Sequence, residues 1–355
     1  MAGKKKTAKK TTASAELDRT VSPLEEQIIV ESELALKQYY APKMVRGSVV
    51  TTNSVGSLLE VAWADLKNRD DRTLKNRKTV NNVTRITIAD DILGKSAPMG
   101  EFQRAVLEAV FSEIMAGNMV WTSSMLYRTM TGKKSKESVG QEQQRMVDEA
   151  MSQLMYTPLH IDLNDYATDG QAIEGDPILD GVVLPAERLT LSVSGNTAAS
   201  YRILALPIIL RFCMATQSLT MTPIELLSVD NLSYTQRTLS ILNAMQRQIG
   251  PLLYPFDGAY RQPRPLLITY ESLYDVALEG SDAEATFTVK QRIRDAIHTI
   301  LDSWVAHGYL SKWEPVKERR SYVAFRVYFP RRQPPRPIGP TPKELLSQPQ
   351  QANED

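Results

Sequence analysis

The chain has almost no cysteine and almost no histidine. One thiol, Cys213, and three imidazoles, His160, His298 and His307, are spread over 355 residues. A lone cysteine excludes an intrachain disulfide and a cysteine-built zinc site, and three scattered histidines leave little for a histidine metal centre. Cys213 lies in an apolar segment, where a small core residue is a plainer reading than a nucleophile. An excess of one charge is also missing. The chain carries 42 Lys and Arg against 41 Asp and Glu, a net charge of +1. A uniformly basic protein is excluded, so any nucleic-acid binding must come from local patches. Long apolar runs are absent too. The longest, Ile203 to Leu210, contains Pro207 and is flanked by Arg202 and Arg211, far below the roughly 20 residues a membrane span needs. No apolar stretch follows the basic N-terminus, so it does not read as a secretory signal. These absences point to a soluble, cytoplasmic protein with no membrane partner. The length suits two or three units of roughly 100–150 residues, and 42% hydrophobic residues can fill their cores.

Catalytic motifs are missing as well. ADDILGKS (89–96) matches a permissive phosphate-loop pattern, but Ala89 stands where the first glycine belongs. Asp90 and Asp91 would repel phosphate, and Pro98 and Gly100 interrupt the helix that should cap it. GKKS (132–135) fails because Tyr127 occupies the leading glycine position. There is no His-x-His pair and no G-x-S-x-G elbow. Asp162, Asp165, Asp169, Glu174, Asp176, Asp180 and Glu187 form an acidic run without calcium-loop spacing, best read as a solvated loop. The chain is therefore read as a non-enzyme, with no catalytic residues, no metal and no cofactor.

What is present is a repeated order of elements. Residues 1–20 open with Lys4, Lys5, Lys6, Lys9 and Lys10 and predict a disordered basic tail. That tail is either a solubilising segment or a non-specific phosphate-binding arm. Residues 21–97 have helical and strand-like patches but no assignable fold. Residues 98–200 read as a first unit. EFQRAVLEAVFSEIMA (101–116) has helical spacing, with Phe102, Val106, Leu107, Val110, Phe111 and Ile114 on one face. A short strand at 119–121, a short helix at 123–132, a basic loop and a long helix at 138–156 follow. Strands at 159–163 and 188–195, joined by the acidic loop, would make a hairpin. Residues 201–230 read as a connecting segment, in which Pro207 of YRILALPIILRFCMA (201–215) either starts or kinks a helix leading into MTPIELL (221–227). Residues 231–330 repeat the order: a helix at 233–250 ending on Gly250, a strand at 264–269, a helix at 270–278, a long helix at 288–308, then strands at 309–316 and 321–329 around KERR. Residues 331–355 are proline-dense and predict a second disordered tail. The predicted class is α+β, helix-rich, with two tandem winged-helix domains.

In such domains the second helix of the helix-turn-helix enters the major groove and the hairpin reaches phosphates. With the stripe from Val289 to Val305 turned inward, helix 288–308 exposes Gln291, Arg294, Asp295 and His298, with Lys290 beside them. Gln suits adenine and Arg suits guanine. Lys317, Arg319 and Arg320 make the hairpin turn basic. In the first unit Gln141, Gln144, Arg145 and Asp148 are the exposed helix residues, preceded by Lys133, Lys134 and Lys136. Its acidic hairpin should avoid DNA and serve protein contacts, with LTLSVSG offering a free edge.

Three segments, FQRAVLEAVFSEIM, LPAERLTLSVSG with YRILALPIILRF, and RIRDAIHTILDSWVAHGYLSKWEPV, carry a resemblance. Spanning about 100–330, the arrangement resembles plasmid replication initiators that bind repeated origin sequences. The resemblance implies sequence-specific binding to double-stranded DNA without nuclease or ATPase activity. It also implies a homodimer through the first unit and recruitment of host replication proteins. A transcriptional regulator of a mobile element, or a scaffolding protein whose winged helices bind protein, are the rival readings.

Overall fold

In the computed structural model of the protein, residues 48–52, 73–75, 85–87, 100–134, 137–162, 178–193, 196–215, 219–255, 258–279, 286–319 and 321–335 are described. Three short strands come first, β1 (Ser48–Thr52), β2 (Thr73–Lys75) and β3 (Arg85–Thr87). Next are α1 (Glu101–Met115), β4 (Val120–Thr122), α2 (Ser123–Thr131), α3 (Gln141–Tyr156), β5 (Pro158–Asp162), β6 (Ile178–Val182), β7 (Ala186–Val193) and β8 (Asn196–Ile203). α4 (Ile208–Ala215) and β9 (Leu219–Pro223) lead to α5 (Gln236–Leu253), β10 (Leu266–Thr269), α6 (Tyr270–Leu278), α7 (Phe287–Ala306), β11 (Lys312–Glu318) and β12 (Ser321–Tyr328). The protein is α+β, and every strand pairing among the described residues is antiparallel.

Two segments share one plan. In the first unit α1, β4, α2 and α3 precede the hairpin β7–β8, and the sheet order is β4-β8-β7. In the second, α5, β10, α6 and α7 precede β11–β12, and the order is β10-β12-β11. Both times the strand before the second helix pairs with the last strand of the hairpin. Threonine hydroxyls set the starts of α2, α6 and α7: Thr122 accepts from the Met125 N–H, Thr269 from Ser272 and Thr286 from Val289. Each such cap is worth about 1 kcal/mol. α7 buries Ile293, Ile297, Ile300, Leu301 and Trp304, the helical stripe of an amphipathic helix facing a core. α2 ends on Gly132 at φ 64°, where a Cβ would lie 2.8 Å from the Ile224 carbonyl oxygen. Both the backbone angle and the space call for glycine there.

The structure departs from the sequence expectations in several places. The predicted hairpin of 159–163 with 188–195 does not form. β5 pairs instead with β6 and β3 in a four-stranded sheet, β2-β3-β5-β6, and β7 pairs with β8. Of the acidic residues that are described, Asp162 and Asp180 lie on β5 and β6 of the four-stranded sheet and Glu187 on β7 of the first unit's hairpin; residues 163–177 lie outside the described residues. In the connecting segment the chain is a strand as far as Ile203, and of the two expectations for Pro207 the structure has the helix start, at Ile208; 219–223 is a strand and no helix continues into it. Pro207 sits just ahead of that helix, where its missing N–H and fixed φ do no harm. Gly250 does not stop α5, which continues through Pro251 to Leu253. It marks a close crossing instead, since a Cβ there would lie 3.0 Å from the Thr222 methyl. The segment expected as a tail from 331 begins docked. Gln333 donates its amide to the Leu253 carbonyl at 2.9 Å, and the Tyr254 hydroxyl donates to the Pro335 carbonyl at 3.0 Å. The 1–20 tail and residues 336–355 lie outside the described residues.

A ribbon of β1 and β9 lies between the units. Side chains alternate across a strand, and β1 uses this to serve both sides: Val49 enters the second core and Val50 the first. Beside it sits a buried ionic cluster. Arg104 and Glu108 on α1 lie 3.5 Å apart, and Arg247 on α5 pairs with Glu101 and reaches Glu108 at 3.7 Å. Thr52 closes the cluster. Its backbone N–H donates to Glu108 at 3.0 Å, and its hydroxyl oxygen accepts from Arg104 Nη2 at 2.6 Å. Arg104 is 1% exposed and Arg247 2%. At that depth, charges persist only when paired and hydrogen-bonded. Cys213 is fully buried, and burial pushes its thiol pKa far up.

Candidate nucleic-acid interface

In the second unit, Lys290, Gln291, Arg294 and His298 lie partly buried on the flank of α7 next to the β11–β12 hairpin, while Thr288, Arg292 and Asp295 take the exposed face; the expectation that Gln291, Arg294 and His298 lie opposite the buried stripe is corrected in this respect. Arg294 lies over Tyr322 of β12, with its guanidinium carbon 4.7 Å from the ring centroid. Lys317 of β11 stands opposite Tyr322 in the register, and its Nζ lies 4.4 Å from the same centroid. A helix cation and a hairpin cation thus converge on one ring. Such contacts are worth about 0.5–1 kcal/mol at exposed sites and leave the cation's outward side open. Lys290 is held similarly, 5.2 Å from the Tyr274 centroid and 3.8 Å from Glu271. Gln291 accepts from Arg294 and donates to Asp295 at 2.7 Å. Arg319 is exposed at the hairpin turn with φ 55°, while Arg320 lies outside the described residues.

His298 is half-buried. Its Nε2 lies 2.7 Å from the Tyr270 hydroxyl, and its ring centroid is 4.7 Å from that of Trp313. Burial first, then the nearby Arg294 charge, hold its pKa below the ordinary value. A neutral imidazole bonded to Tyr270 braces α7 against α6 and β11.

The first unit puts α3 in the equivalent place with different chemistry. Arg145 is bound by Glu142, at 2.6 and 2.9 Å, and by Glu149. Hydrogen bonding to Arg145 lowers the Glu142 pKa, while Glu142 first and Glu149 second raise that of Arg145. Gln141 is exposed at the first position of α3. Gln144 donates its amide back to the Val139 carbonyl at 2.9 Å. Lys133 Nζ lies 5.8 Å from the Tyr127 centroid, and exposed Lys134 uses its backbone N–H on Glu137. Asp148 departs from the sequence expectation. It turns inward, accepting from Tyr201 at 2.7 Å and bonding Ser123. Lys136, Lys4, Lys5 and Lys6 lie outside the described residues.

A cleft of about 480 Å³ opens between the units, lined in part by Glu101, Glu149, Arg237 and Glu279. Its carboxylates are engaged: Glu101 by Arg247, Glu149 by Arg145, and Glu279 by the Glu101 N–H at 2.7 Å. The last contact places an anion at the positive end of α1, which makes the cleft part of the seam.

No protein-family model matches the chain, and no curated protein does. Two solved structures of domains 2 and 3 of RctB are similar over most of the chain. Each is 10% identical with a TM-score of 0.32; one covers 81% of this chain and 94% of the RctB chain, the other 82% and 95%. The functional reading rests instead on this chain's own geometry.

Sequence reasoning missed the aromatic floor under the cations, Tyr274 and Tyr322. A tyrosine facing a lysine across a hairpin was the available signal. It also missed Phe287, which is 81% exposed at the start of α7.

Proposed function

We propose that the protein binds double-stranded DNA sequence-specifically, using its second unit as a winged helix. One observation carries the reading: Arg294 and Lys317 converge on Tyr322, so a base-reading helix and a phosphate-reaching hairpin share one basic edge. α7 places its N-terminal half in the major groove, with Gln291 and Arg294 toward base edges. Lys290, Lys317 and Arg319 meet phosphates. The first unit is a second winged helix whose α3 contributes less to DNA. Its strand β7 lies at the end of the sheet β4-β8-β7, and such an edge suits pairing with a second copy of the chain. The biological role is that of a replication initiator of a plasmid or mobile element, which binds origin repeats, recruits host replication proteins and performs no chemistry of its own.

The test is binding of the full chain to a library of random duplexes across a salt series. Selection of a preferred sequence, with affinity falling steeply as salt rises, is expected. Equal, salt-insensitive or absent binding overturns the DNA reading. Direct repeats of the selected sequence beside the gene then favour an origin over a single regulatory operator.

A further inference from the structure

We infer that Phe287 reads thymine, its ring meeting the C5-methyl group of a thymine in the major groove. The inference rests on the proposed DNA-reading role of α7. Phe287 is 81% exposed, more than any other large apolar side chain among the described residues. Scattered exposed apolar residues need no explanation; this one differs by position. It is the first residue of α7, fixed there by the Thr286 cap, whose hydroxyl accepts from the Val289 N–H at 3.4 Å. Residues three, four and seven positions apart share a side of a helix. Phe287 therefore heads a row that continues through the partly buried Lys290, Gln291 and Arg294, along the flank of the stripe of buried Ile293 and Ile297.

That row divides the available chemistry. Arg294 and Gln291 offer polar groups for guanine and adenine, and Lys290 offers a charge for phosphate. Phe287 can make no hydrogen bond. In the major groove thymine alone presents a methyl group, and an aromatic side chain is among its known apolar partners. The N-terminal residues of a reading helix go deepest toward the base edges, and Phe287 stands there. Among the described residues its ring belongs to neither core. The cations flanking it would draw a phosphate backbone to the same place and cover the exposed ring.

Deoxyuridine differs from thymidine only by that methyl group, which makes it the probe. A duplex selected by the full wild-type chain is remade with deoxyuridine at each thymidine in turn, and affinities are compared for wild type and Phe287→Ala. Wild type should lose roughly three- to fivefold at one or two positions, the worth of one buried methyl group. Phe287→Ala should bind the parent duplex more weakly and show no further loss at those positions. Phe287→Leu should keep part of the effect. An unchanged thermal midpoint in both variants shows that the fold is intact. If wild type selects a sequence but Phe287→Ala gives the same deoxyuridine profile as wild type, Phe287 does not read thymine and α7 reads DNA without it. If wild type selects no sequence at all, the DNA reading falls and this inference with it.

Discussion

The two units place a long helix against a three-stranded sheet in the same order, and they dress that helix in opposite ways. On α3 the central cation, Arg145, is enclosed by carboxylates one turn to either side. On α7 the central cation, Arg294, is enclosed by an aromatic ring and a glutamine. A carboxylate satisfies a guanidinium and cancels its field; an aromatic face orients the guanidinium and leaves its charge available. The difference lies in three- and four-residue spacings on the helix surface and not in the topology. One scaffold can therefore present an accessible cation in one copy and a neutralised one in the other, and function must be argued from side chains.

The largest effect should come from the seam that joins the two units. Arg247→Ala deprives Glu101 of its buried cation and leaves Glu108 with Arg104, and such a loss costs about 3–5 kcal/mol. Urea unfolding of the full chain checks it; a loss below about 1 kcal/mol would mean that the units do not depend on the cluster. Next comes the paired test of the helices. Arg294→Ala should weaken binding to the preferred duplex by about 1–3 kcal/mol, measured by fluorescence anisotropy. Arg145→Ala should leave it nearly unchanged, as for an exposed and already neutralised group. Equal losses in the two variants would erase the distinction. A smaller gain should follow from uncovering Arg145. Glu142→Gln combined with Glu149→Gln frees one cation on α3, and affinity at low salt should rise by a few-fold at most, roughly the effect of one added phosphate contact, vanishing as salt increases.

The smallest effect is a pH dependence that belongs to α7 alone. His298 titrates below its unfolded value of 6.5 because burial and Arg294 oppose its charge. The unfolded chain then binds the proton more readily, so stability rises with pH through this window. His298 contributes fully above about pH 6.5, and its contribution is lost as pH falls through the lower folded value. Thermal midpoints of wild type should drop more than those of His298→Gln on going from pH 7.5 to pH 5.5. Parallel curves would place the imidazole outside the packed cluster.

Long, strongly periodic elements were legible in the sequence. The helix at 288–308 and the strands that follow it declare themselves by stripe, cap and alternation, and the structure places them within a few residues. β8 was hidden because Asn196, Thr197, Ala198, Ala199 and Ser200 are small or polar and show no alternation. The pairing of β5 with β6 was illegible for another reason. Partner choice in a sheet depends on distant strands, here β3, and no local pattern names a partner. The seam was equally invisible. Arg104, Glu108 and Arg247 look like surface charges on paper, and only the crossing of α1, α5 and β1 buries them. The candidate basic face was legible in the sequence only as a row of residue types. The rings that support it were not, because a cation over a ring requires knowing which side chains meet.

The central claim is that α7, and not α3, lies against DNA, and a tethered cleavage reagent tests it most directly. Cys213 is fully buried and its thiol is held protonated, so an engineered surface cysteine can be labelled selectively. A hydroxyl-radical source attached through Gln291→Cys or Gln144→Cys reports which helix approaches the duplex, and where. Cleavage of both strands centred on one major groove of the preferred site, from position 291 and not from position 144, is the predicted result. Strong, localised cleavage from position 144 with none from position 291 would contradict the account.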